Sequence, residues 1–230
     1  MSSFDEGVCL MLDEEDEDIL EYGTVNVGQR KVDRQSHGGI VSCRCFQQIL
    51  SCIPCAAIDE STHFTDLGCS VGSAVLCMAL NRPAMKVYGV DNDKERVDYL
   101  NERVGRYNDD KMKNVKVICA DLTDKVVDWG WLGQKGIIYV NNINFESVVN
   151  LSVERIVMEN AKEGTYIVAL SPLFVGRASE WADHIKFVCG RGRGRCHKLD
   201  VAAGYVSWAG GDVTLKVYVY EIKSALPRVE

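Results

Sequence analysis

Short apolar runs that end on polar residues alternate with stretches of helical character through the middle of the chain. The apolar runs are rich in β-branched and aromatic residues and predict strands near residues 63–67, 86–91, 115–120, 136–141 and 164–170. The stretches between them predict helices near residues 72–81, 93–107, 124–132 and 148–161. Strands that alternate with helices are typical of right-handed βαβ units, so the pattern predicts an α/β domain with a mostly parallel sheet.

The pattern changes after Pro172. A short helix near 178–184 and a strand near 185–189 are predicted first, followed by two long β-rich runs. These two runs, about 199–208 and 213–222, are joined by the sequence Ala-Gly-Gly-Asp. A Gly-rich connection between β-rich runs predicts an antiparallel hairpin at the end of the sheet.

The negative charge of the chain is concentrated at its beginning. The net charge is −7, but residues 1–21 contain nine acidic residues and no basic ones, which leaves 26 basic and 24 acidic residues elsewhere. The run of six acidic residues at 13–18 repels itself, so residues 1–21 are predicted to form a disordered acidic tail. The alternative is a tail that docks on basic protein or competes with nucleic acid.

The remaining 209 residues are divided into two parts. Residues 22–62 are predicted to be an irregular loop and a helix, from about residue 40 to residue 53, that is ended by Pro54. This part is expected to complete the ligand pocket of a single domain at 63–230. No apolar run approaches the roughly 18–20 residues of a membrane span, and the acidic N-terminus does not resemble a secretory signal, so no membrane contact is predicted.

Ten cysteines are scattered through the predicted core elements, which favours buried reduced thiols over a disulfide framework. The spacing of four cysteines partly resembles that of a metal-binding site: Cys43, Cys45, Cys52 and Cys55. Because the first three fall on a helix that is predicted to face the core, packed thiols are preferred to a zinc site, and no metal is predicted.

The segment Phe64–Gly72 predicts a ligand site. A strand leads through Asp66 into a turn at Gly68, and a helix begins after Gly72. A strand, a Gly-rich turn and a helix open many nucleotide-binding α/β folds, in which the ligand lies beyond the carboxyl ends of the strands. Those predicted ends carry four polar residues: Asp66, Asp91, Asp121 and Asn141.

The turn lacks the three glycines that a diphosphate cofactor requires, since Ser70 occupies the middle position. Asp66 beside the turn suits a ligand with a positive amino group, so S-adenosylmethionine fits better. Its amino acid end would meet Asp66 and the turn, its ribose Asp91 and its adenine Asp121. Gly68-Cys-Ser70-Val-Gly72 also matches a hydrolase nucleophile elbow, for which His184 and His197 would be the available bases.

Several motifs from Asp66 onward resemble one methyltransferase family. Tyr139-Val-Asn141-Asn142-Ile-Asn-Phe145 resembles the Val-Asn-Asn-Phe-x-Phe signature of the disruptor-of-telomeric-silencing, non-SET histone H3 lysine methyltransferases. Ser171-Pro-Leu-Phe174 and Val206-Ser-Trp208-Ala-Gly210 lie in the family's order. The resemblance covers roughly residues 36–223, about four fifths of the chain, in a compact form like that of protist members.

The resemblance implies a class I S-adenosylmethionine-dependent methyltransferase fold, Rossmann-like, with a mostly parallel sheet and an antiparallel C-terminal hairpin. It implies that cofactor contacts come from Gly38, Asp66, Gly68, Cys69, Gly72, Asp91, Asn92, Asp121, Leu122 and Asn141. Asn141 would lie beside the methyl group, and Tyr139, Phe145 and Trp208 would shape a lysine channel. The segment His37-Gly38-Gly39-Ile40 departs from the family's Tyr-Gly-Glu-Thr, and Ser70 replaces a glycine.

The implied substrate is a core-domain lysine of histone H3 in nucleosomes, which places the protein in the nucleus, with S-adenosylhomocysteine as product. A Gly/Arg loop with Arg191, Arg193, Arg195 and Lys198 is the candidate contact with nucleosomal DNA or the histone surface, and a generic solvated loop is the alternative. Two other functions stay open. One is a class I methyltransferase with another protein or RNA substrate, and the other is a catalytically weak module that binds histones or nucleosomes.

Overall fold

A computed structural model of the 230-residue chain describes residues 4–21, 41–54, 59, 61–107, 110–175, 181, 183–188, 197–200 and 214–224. The described helices are α1 (Glu6–Glu21), α2 (Cys43–Leu50), α3 (Ser73–Asn81), α4 (Lys94–Arg106) and α5 (Ser147–Asn160). The strands are β1 (His63–Leu67), β2 (Val87–Asp91), β3 (Val115–Cys119), β4 (Gly136–Val140), β5 (Tyr166–Ala169), β6 (Ile185–Phe187), β7 (His197–Asp200) and β8 (Thr214–Ile222). Two short 3₁₀ helices lie at Asp110–Asn114 and Gly130–Gly133.

These strands form one sheet in the order β3-β2-β1-β4-β5-β8-β6, with β7 paired to β8. Strands β1 to β5 are parallel to one another, whereas β8 runs antiparallel to β5, β6 and β7. The predicted mostly parallel sheet with antiparallel C-terminal strands is therefore confirmed. The connection predicted at 209–212 lies outside the described residues.

Two hydrophobic layers cover the two faces of the sheet. On one face, α1, α2 and α3 form a layer with sheet residues such as Phe64 and Tyr139, and Phe46 of α2 belongs to this layer. On the other face, α5 packs over residues that include Leu67 and Val140. None of the helices in the described part of the chain combines the length and apolar composition needed to cross a bilayer.

The α-helix predicted at 124–132 is not formed. In this region only Gly130–Gly133 is helical, as a 3₁₀ turn. Asp124 Oδ1 accepts a hydrogen bond from the backbone N–H of Val126, and Asp128 Oδ1 accepts one from that of Gly130. Such local bonds from Asp side chains compete with the α-helical pattern, which explains the difference.

The prediction of a disordered acidic tail is wrong for residues 6–21, which form α1. Cys9, Leu12 and Asp16 lie on one face of this helix and are buried against the rest of the protein. The spacing of these three residues is that of one helical stripe, and the surrounding acidic residues obscure it in the sequence. Burial of the stripe compensates for the repulsion that the charge pattern alone would predict.

The prediction that all cysteines are reduced is also wrong in the structure. Cys43 at the start of α2 and Cys77 in α3 form a disulfide, with their Cα atoms 5.7 Å apart. These two residues are 34 positions apart in sequence, so only the packing of α2 on α3 brings them together. The other described cysteines (Cys9, Cys45, Cys52, Cys69 and Cys119) are not part of a disulfide.

Candidate active site

The turn between β1 and α3 lies at the carboxyl edge of the sheet. The N–H groups of Gly68 and Cys69 both donate to the carbonyl oxygen of Val90, at 2.8 and 2.9 Å, which fixes the turn to the end of β2. Gly68 has φ +87°, a conformation that glycine adopts without a steric cost. Ser70 also has a positive φ, +50°, which a non-glycine residue adopts only when its surroundings hold it there.

Gly72, where α3 begins, is required for packing. Its φ is +84°, and a Cβ atom would lie 2.1 Å from Cδ1 of the fully buried Leu100. Gly72 is not among the residues that line the described cavity, and its predicted cofactor contact stays a prediction. In the structure its Cα faces α4, so its effect on the pocket is to let α3 begin at the correct position.

We expect Gly72→Ala to lower the free energy of unfolding by roughly 2–3 kcal/mol, because it adds left-handed backbone strain and a clash with Leu100. Chemical denaturation of the two proteins measures the difference. Gly105→Ala is the matched control, since a Cβ at Gly105 meets nothing within 4 Å and should leave the stability unchanged or raise it by up to about 1 kcal/mol. Equal stabilities for Gly72→Ala and the wild type would contradict this role.

Asp66 is a buried acidic residue of the site. Its side chain is 3% exposed, and Oδ1 has no hydrogen-bond partner among the described residues. Burial, and then the charge of Asp91, raise the pKa of this carboxyl well above its ordinary value. The hydroxyl of the neighbouring Tyr139, opposite Asp66 on β4, is also buried without a described partner. Two unsatisfied polar atoms at the base of a cavity indicate a place where a ligand completes the hydrogen bonding.

A small cavity lies over these atoms. Several of the predicted residues share it, and its lining consists of Val41, Asp66, Gly68, Cys69, Ser70, Val71, Ser73, Ala74, Tyr139 and Asn141. The Cys69 thiol is 5% exposed, and its burial raises its pKa well above the ordinary value, so it is a packing group at this wall. The structure therefore brings together predicted residues from β1, the turn and the end of β4.

The two adjacent asparagines after β4 have different positions. Asn141 lines the cavity, whereas Asn142 is 1% exposed. Asn142 Oδ1 accepts hydrogen bonds from the backbone N–H groups of Leu170 and Ser171, and its Nδ2 donates to Asn150 Oδ1 at 2.8 Å. Asn142 thus fastens the end of β4 to the end of β5, and Asn141 is left to face the ligand side.

The predicted ribose and adenine residues lie at the ends of β2 and β3. Asp91 accepts from the backbone N–H of Ser70 and of Asp93, both at 2.9 Å, so it also holds the turn. Asp121 is exposed, and hydrogen bonds from Thr123, with a further one from Asn92, hold its pKa below the ordinary value. Leu122, by contrast, is 7% exposed and belongs to the core beneath the sheet.

Phe145 covers the turn from the other side. A Cβ atom added at Gly68 would lie 2.5 Å from Cζ of Phe145, so the ring rests directly over the glycine.

Several predicted site residues lie outside the described part of the chain: Gly38, Trp208, Arg191, Arg193 and Arg195, together with the side chain of Lys198 on β7. Their predicted contacts stay predictions.

The charged groups behind the turn were not found from the sequence. Arg103 of α4 is 1% exposed, and its Nη1 donates to the carbonyl oxygen of Val71 at 3.0 Å. Its Nη2 lies 3.0 Å from Glu15 Oε2 and 3.0 Å from Asp16 Oδ1 on α1. The acidic helix is therefore joined through one buried guanidinium to the turn that lines the cavity. The sequence offered one signal of this ion pair, which is that Arg103 occupies a position of α4 that the hydrophobic pattern assigns to the core.

The hydrolase alternative has no support in the described residues. Ser70 Oγ is buried without a partner there, and His184 Nδ1 lies 2.8 Å from Ser224 Oγ at the β6 end of the sheet. A nucleophile elbow needs a base within hydrogen-bond reach of its serine. His184 is bonded elsewhere, and the side chain of His197 is outside the described part.

A family model described as "Histone methylation protein DOT1" matches residues 39–220. The chain belongs to this family. The match covers most of the chain and includes every described residue of the cavity. Membership and the strand order together identify a class I S-adenosylmethionine-dependent methyltransferase, as the sequence predicted.

Individual proteins are also similar to this chain, at 19–34% sequence identity. A putative RNA methyltransferase from Pyrococcus horikoshii is 19% identical, with a TM-score of 0.49, over 77% of this chain and 81% of that one. Coclaurine N-methyltransferase bound to N-methylheliamine and SAH is 25% identical, with a TM-score of 0.41, over 50% of this chain and 31% of that one. A carboxy-S-adenosyl-L-methionine synthase from Psychromonas ingrahamii is 34% identical over 65 residues. That match spans 27% of this chain and about a quarter (26%) of the synthase.

The polar groups that line the cavity suit the amino acid end of the methyl donor. The unsatisfied Asp66 Oδ1 suits the ammonium group of S-adenosylmethionine, and the first N–H groups of α3 suit its carboxylate. Both groups reach the same space, because Asp66, Ser73 and Ala74 all line the cavity. The pairing is chemically consistent, since an ammonium beside a buried carboxylate stabilises its charged form.

Proposed function

We propose that this DOT1-family protein transfers a methyl group from S-adenosylmethionine to the side-chain amine of a core-domain lysine of histone H3 in the nucleosome. The observation that carries the proposal is the buried, unsatisfied carboxylate of Asp66 in the same cavity as Asn141. Family membership supports methyl transfer and a histone acceptor, and the lysine and the nucleosome are the further steps that we propose.

The cofactor would extend along the carboxyl ends of β1, β2 and β3. Asp66 and the Gly68 turn would hold the amino acid end. Each oxygen of the Asp91 carboxylate accepts one described hydrogen bond and has capacity for another, so Asp91 could also accept from ribose hydroxyls. Asp121, exposed at the end of β3, would accept from the adenine amino group.

S-adenosylmethionine, when bound, supplies an electrophilic methyl group on a positively charged sulfur. The chain must present a neutral amine to that methyl group. A lysine with a pKa of about 10.4 is neutral at pH 7 only at a cost of roughly 4–5 kcal/mol. An apolar channel formed with Tyr139, Phe145 and Trp208 would lower this cost by desolvating the ammonium form, and Asn141 would orient the amine without adding charge.

The proposed partners follow from the substrate. The basic residues Arg191, Arg193, Arg195 and Lys198 would contact nucleosomal DNA or the histone surface, with the salt dependence that phosphate contacts confer. A nucleosomal substrate places the enzyme in the nucleus. The two alternatives give different results, since an RNA methyltransferase would label RNA, and a binding module would retain nucleosomes without transferring a methyl group.

Cofactor affinity should rise with pH, and the dependence should come from Asp66. In the free protein the pKa of Asp66 is raised, so the carboxyl carries a proton above its usual titration range. The cofactor's ammonium favours the carboxylate, so binding releases a proton at pH values below the raised pKa, and affinity increases as pH rises towards it. Calorimetric titration with S-adenosylmethionine in buffers of different ionisation enthalpy measures this proton release.

Asp66→Asn is the informative variant for the same titration. It keeps the shape of the side chain, and it should weaken binding by at least about tenfold and abolish the proton release. Asp98→Asn on the outer face of α4 is the control, since Asp98 pairs with the exposed Lys94. Tight binding by Asp66→Asn with an unchanged pH dependence would contradict the proposed position of the ammonium group.

A further inference from the structure

Three cysteines from three different helices meet in the core. They are Cys9 of α1, Cys43 of α2 and Cys77 of α3, and all are at most 1% exposed. Their Sγ atoms lie within 4.8 Å of one another, and Cys9 Sγ is 2.9 Å from Cys43 Sγ. Elsewhere in the described part of the chain, no other group of three Cys, His, Asp or Glu side chains converges in this way.

We propose that, when the Cys43–Cys77 disulfide is reduced, Cys9, Cys43 and Cys77 bind one zinc ion that joins α1 to α2 and α3. Three thiolates around a zinc ion lie about 2.3 Å from the metal and therefore roughly 3.8 Å from one another, a separation within the range that these side chains already span. Thiolate is the ligand class that selects zinc over magnesium or calcium. The site differs from the spacing-based candidate Cys43, Cys45, Cys52 and Cys55, of which only Cys43 belongs to it.

A hydrogen bond beside the cluster fixes the backbone of one of its cysteines. Asp13 lies one helical turn after Cys9 on α1, and its Oδ1 accepts a hydrogen bond from the backbone N–H of Cys43 at 2.6 Å. Such a bond orients the cysteine backbone, as outer hydrogen bonds do in metal sites. A water molecule would complete four-coordination of the ion.

Conversion of the disulfide to the zinc complex requires a thiol reductant and a zinc ion. A dithiol reductant transfers two electrons and two protons to the Cys43–Cys77 bond, which gives two thiols, and is itself oxidised to a disulfide. Zinc then displaces one proton from each of the three thiols, so that three thiolates and one Zn²⁺ remain. The disulfide and the zinc complex are therefore alternative states of the same cysteines, and reducing conditions favour the second.

The position of the site gives the metal a structural role beside the pocket. α3 begins at the cofactor turn, and α1 carries Glu15 and Asp16, which pair with Arg103 behind Val71. An ion that joins these helices would stabilise the packing of α1 on α2 and α3, and would thereby support the turn that precedes α3.

The test uses the full chain without an affinity tag, reduced with dithiothreitol, incubated with zinc sulfate and separated from free metal. Elemental analysis should find about one zinc per chain in the wild type and in Cys52→Ser, a cysteine outside the cluster. Cys9→Ser, which leaves the Cys43–Cys77 pair intact, and Cys77→Ser should each retain at least about tenfold less zinc at the same free-metal concentration. Far-ultraviolet circular dichroism confirms that each variant is folded.

Cobalt(II) provides a second measurement that needs no substitution. The reduced wild type with cobalt should show thiolate-to-cobalt charge-transfer bands and the intense visible bands of a tetrahedral site, which zinc abolishes on addition. The proposal is overturned if the reduced wild type retains no zinc, if Cys9→Ser retains as much as the wild type, or if the disulfide resists reduction in the folded chain. Methylation activity does not enter the readout, so this outcome is independent of the proposed function.

Discussion

Arg103→Met is expected to lower the free energy of unfolding by about 3–5 kcal/mol, the usual cost of removing one partner of a buried ion pair. The guanidinium is 1% exposed, and Asp16, which it faces, is 0% exposed. Without Arg103, the Asp16 carboxylate stays buried with no cation, and the carbonyl oxygen of Val71 loses its donor. Chemical denaturation followed by circular dichroism measures the loss.

The pH dependence of this loss has a definite sign. Burial already raises the pKa of Asp16 in the wild type, although Arg103 opposes the shift. In Arg103→Met that opposition is gone, so the folded-state pKa rises further, and the variant gains stability relative to the wild type as pH falls and Asp16 is protonated. The difference in unfolding free energy should therefore be smaller at pH 5 than at pH 8.

Two further variants separate this ion pair from general effects on α4. Arg106→Met, on the exposed side of the same helix, should change stability by no more than about 0.5 kcal/mol. Arg103→Met combined with Asp16→Leu removes both buried charges and should recover most of the lost stability. A loss below about 1 kcal/mol in Arg103→Met, or no recovery in the double variant, would show that the pair does not hold α1 in place.

Asn141→Ala is expected to reduce methyl transfer to nucleosomes by at least about 10²-fold, the effect of removing one well-placed polar group from a reacting centre. Asn141 lines the cavity at the end of β4, on the side away from the buried network of Asn142. Its loss should therefore affect kcat while the dissociation constant of S-adenosylmethionine changes by less than about threefold. Single-turnover kinetics and calorimetric titration of the same preparation measure the two quantities.

Asn144→Ala is the matched control, because Asn144 lies three residues along the same loop and is exposed. It should keep the wild-type rate. Asn142→Ala distinguishes a folding defect, since loss of its bonds to Leu170 and Ser171 should lower stability together with activity. Full activity in Asn141→Ala would refute the assigned role, whereas weak cofactor binding by that variant would place Asn141 in the cofactor site instead.

The strands and the turn could be predicted because local sequence determines them. β1 was predicted at 63–67 and lies at His63–Leu67, and β2 and β3 each differ from their predictions by one residue. The runs of β1 and β2 are mostly buried, and a polar residue lies at or near the end of each of these two strands. Because parallel strands end at the same edge, the polar residues at 66 and 141 could be placed together before the structure was known.

The acidic helix and the cysteine cluster could not be predicted, because distant residues determine both. Asp16 is buried only because Arg103 lies opposite it, 87 positions further along the chain, and charge density alone predicts disorder. Cys9, Cys43 and Cys77 have no recognisable metal-binding spacing, since three helices bring them together. The different positions of Asn141 and Asn142 also depend on distant residues, because Asn142 is bonded to the backbone at the end of β5. The Asn-Asn motif alone does not reveal this contact.

The most direct test of the central claim is transfer of a radiolabelled methyl group from S-adenosylmethionine to recombinant nucleosomes, with the modified residue located by mass spectrometry. Free histone H3 and RNA serve as parallel acceptors, and Asn141→Ala as the inactive enzyme. We predict label on a single core-domain lysine of histone H3, strongest with nucleosomes and absent with Asn141→Ala. Label on RNA or on another protein, or nucleosome binding without any transfer by an enzyme that binds the cofactor, would contradict the account.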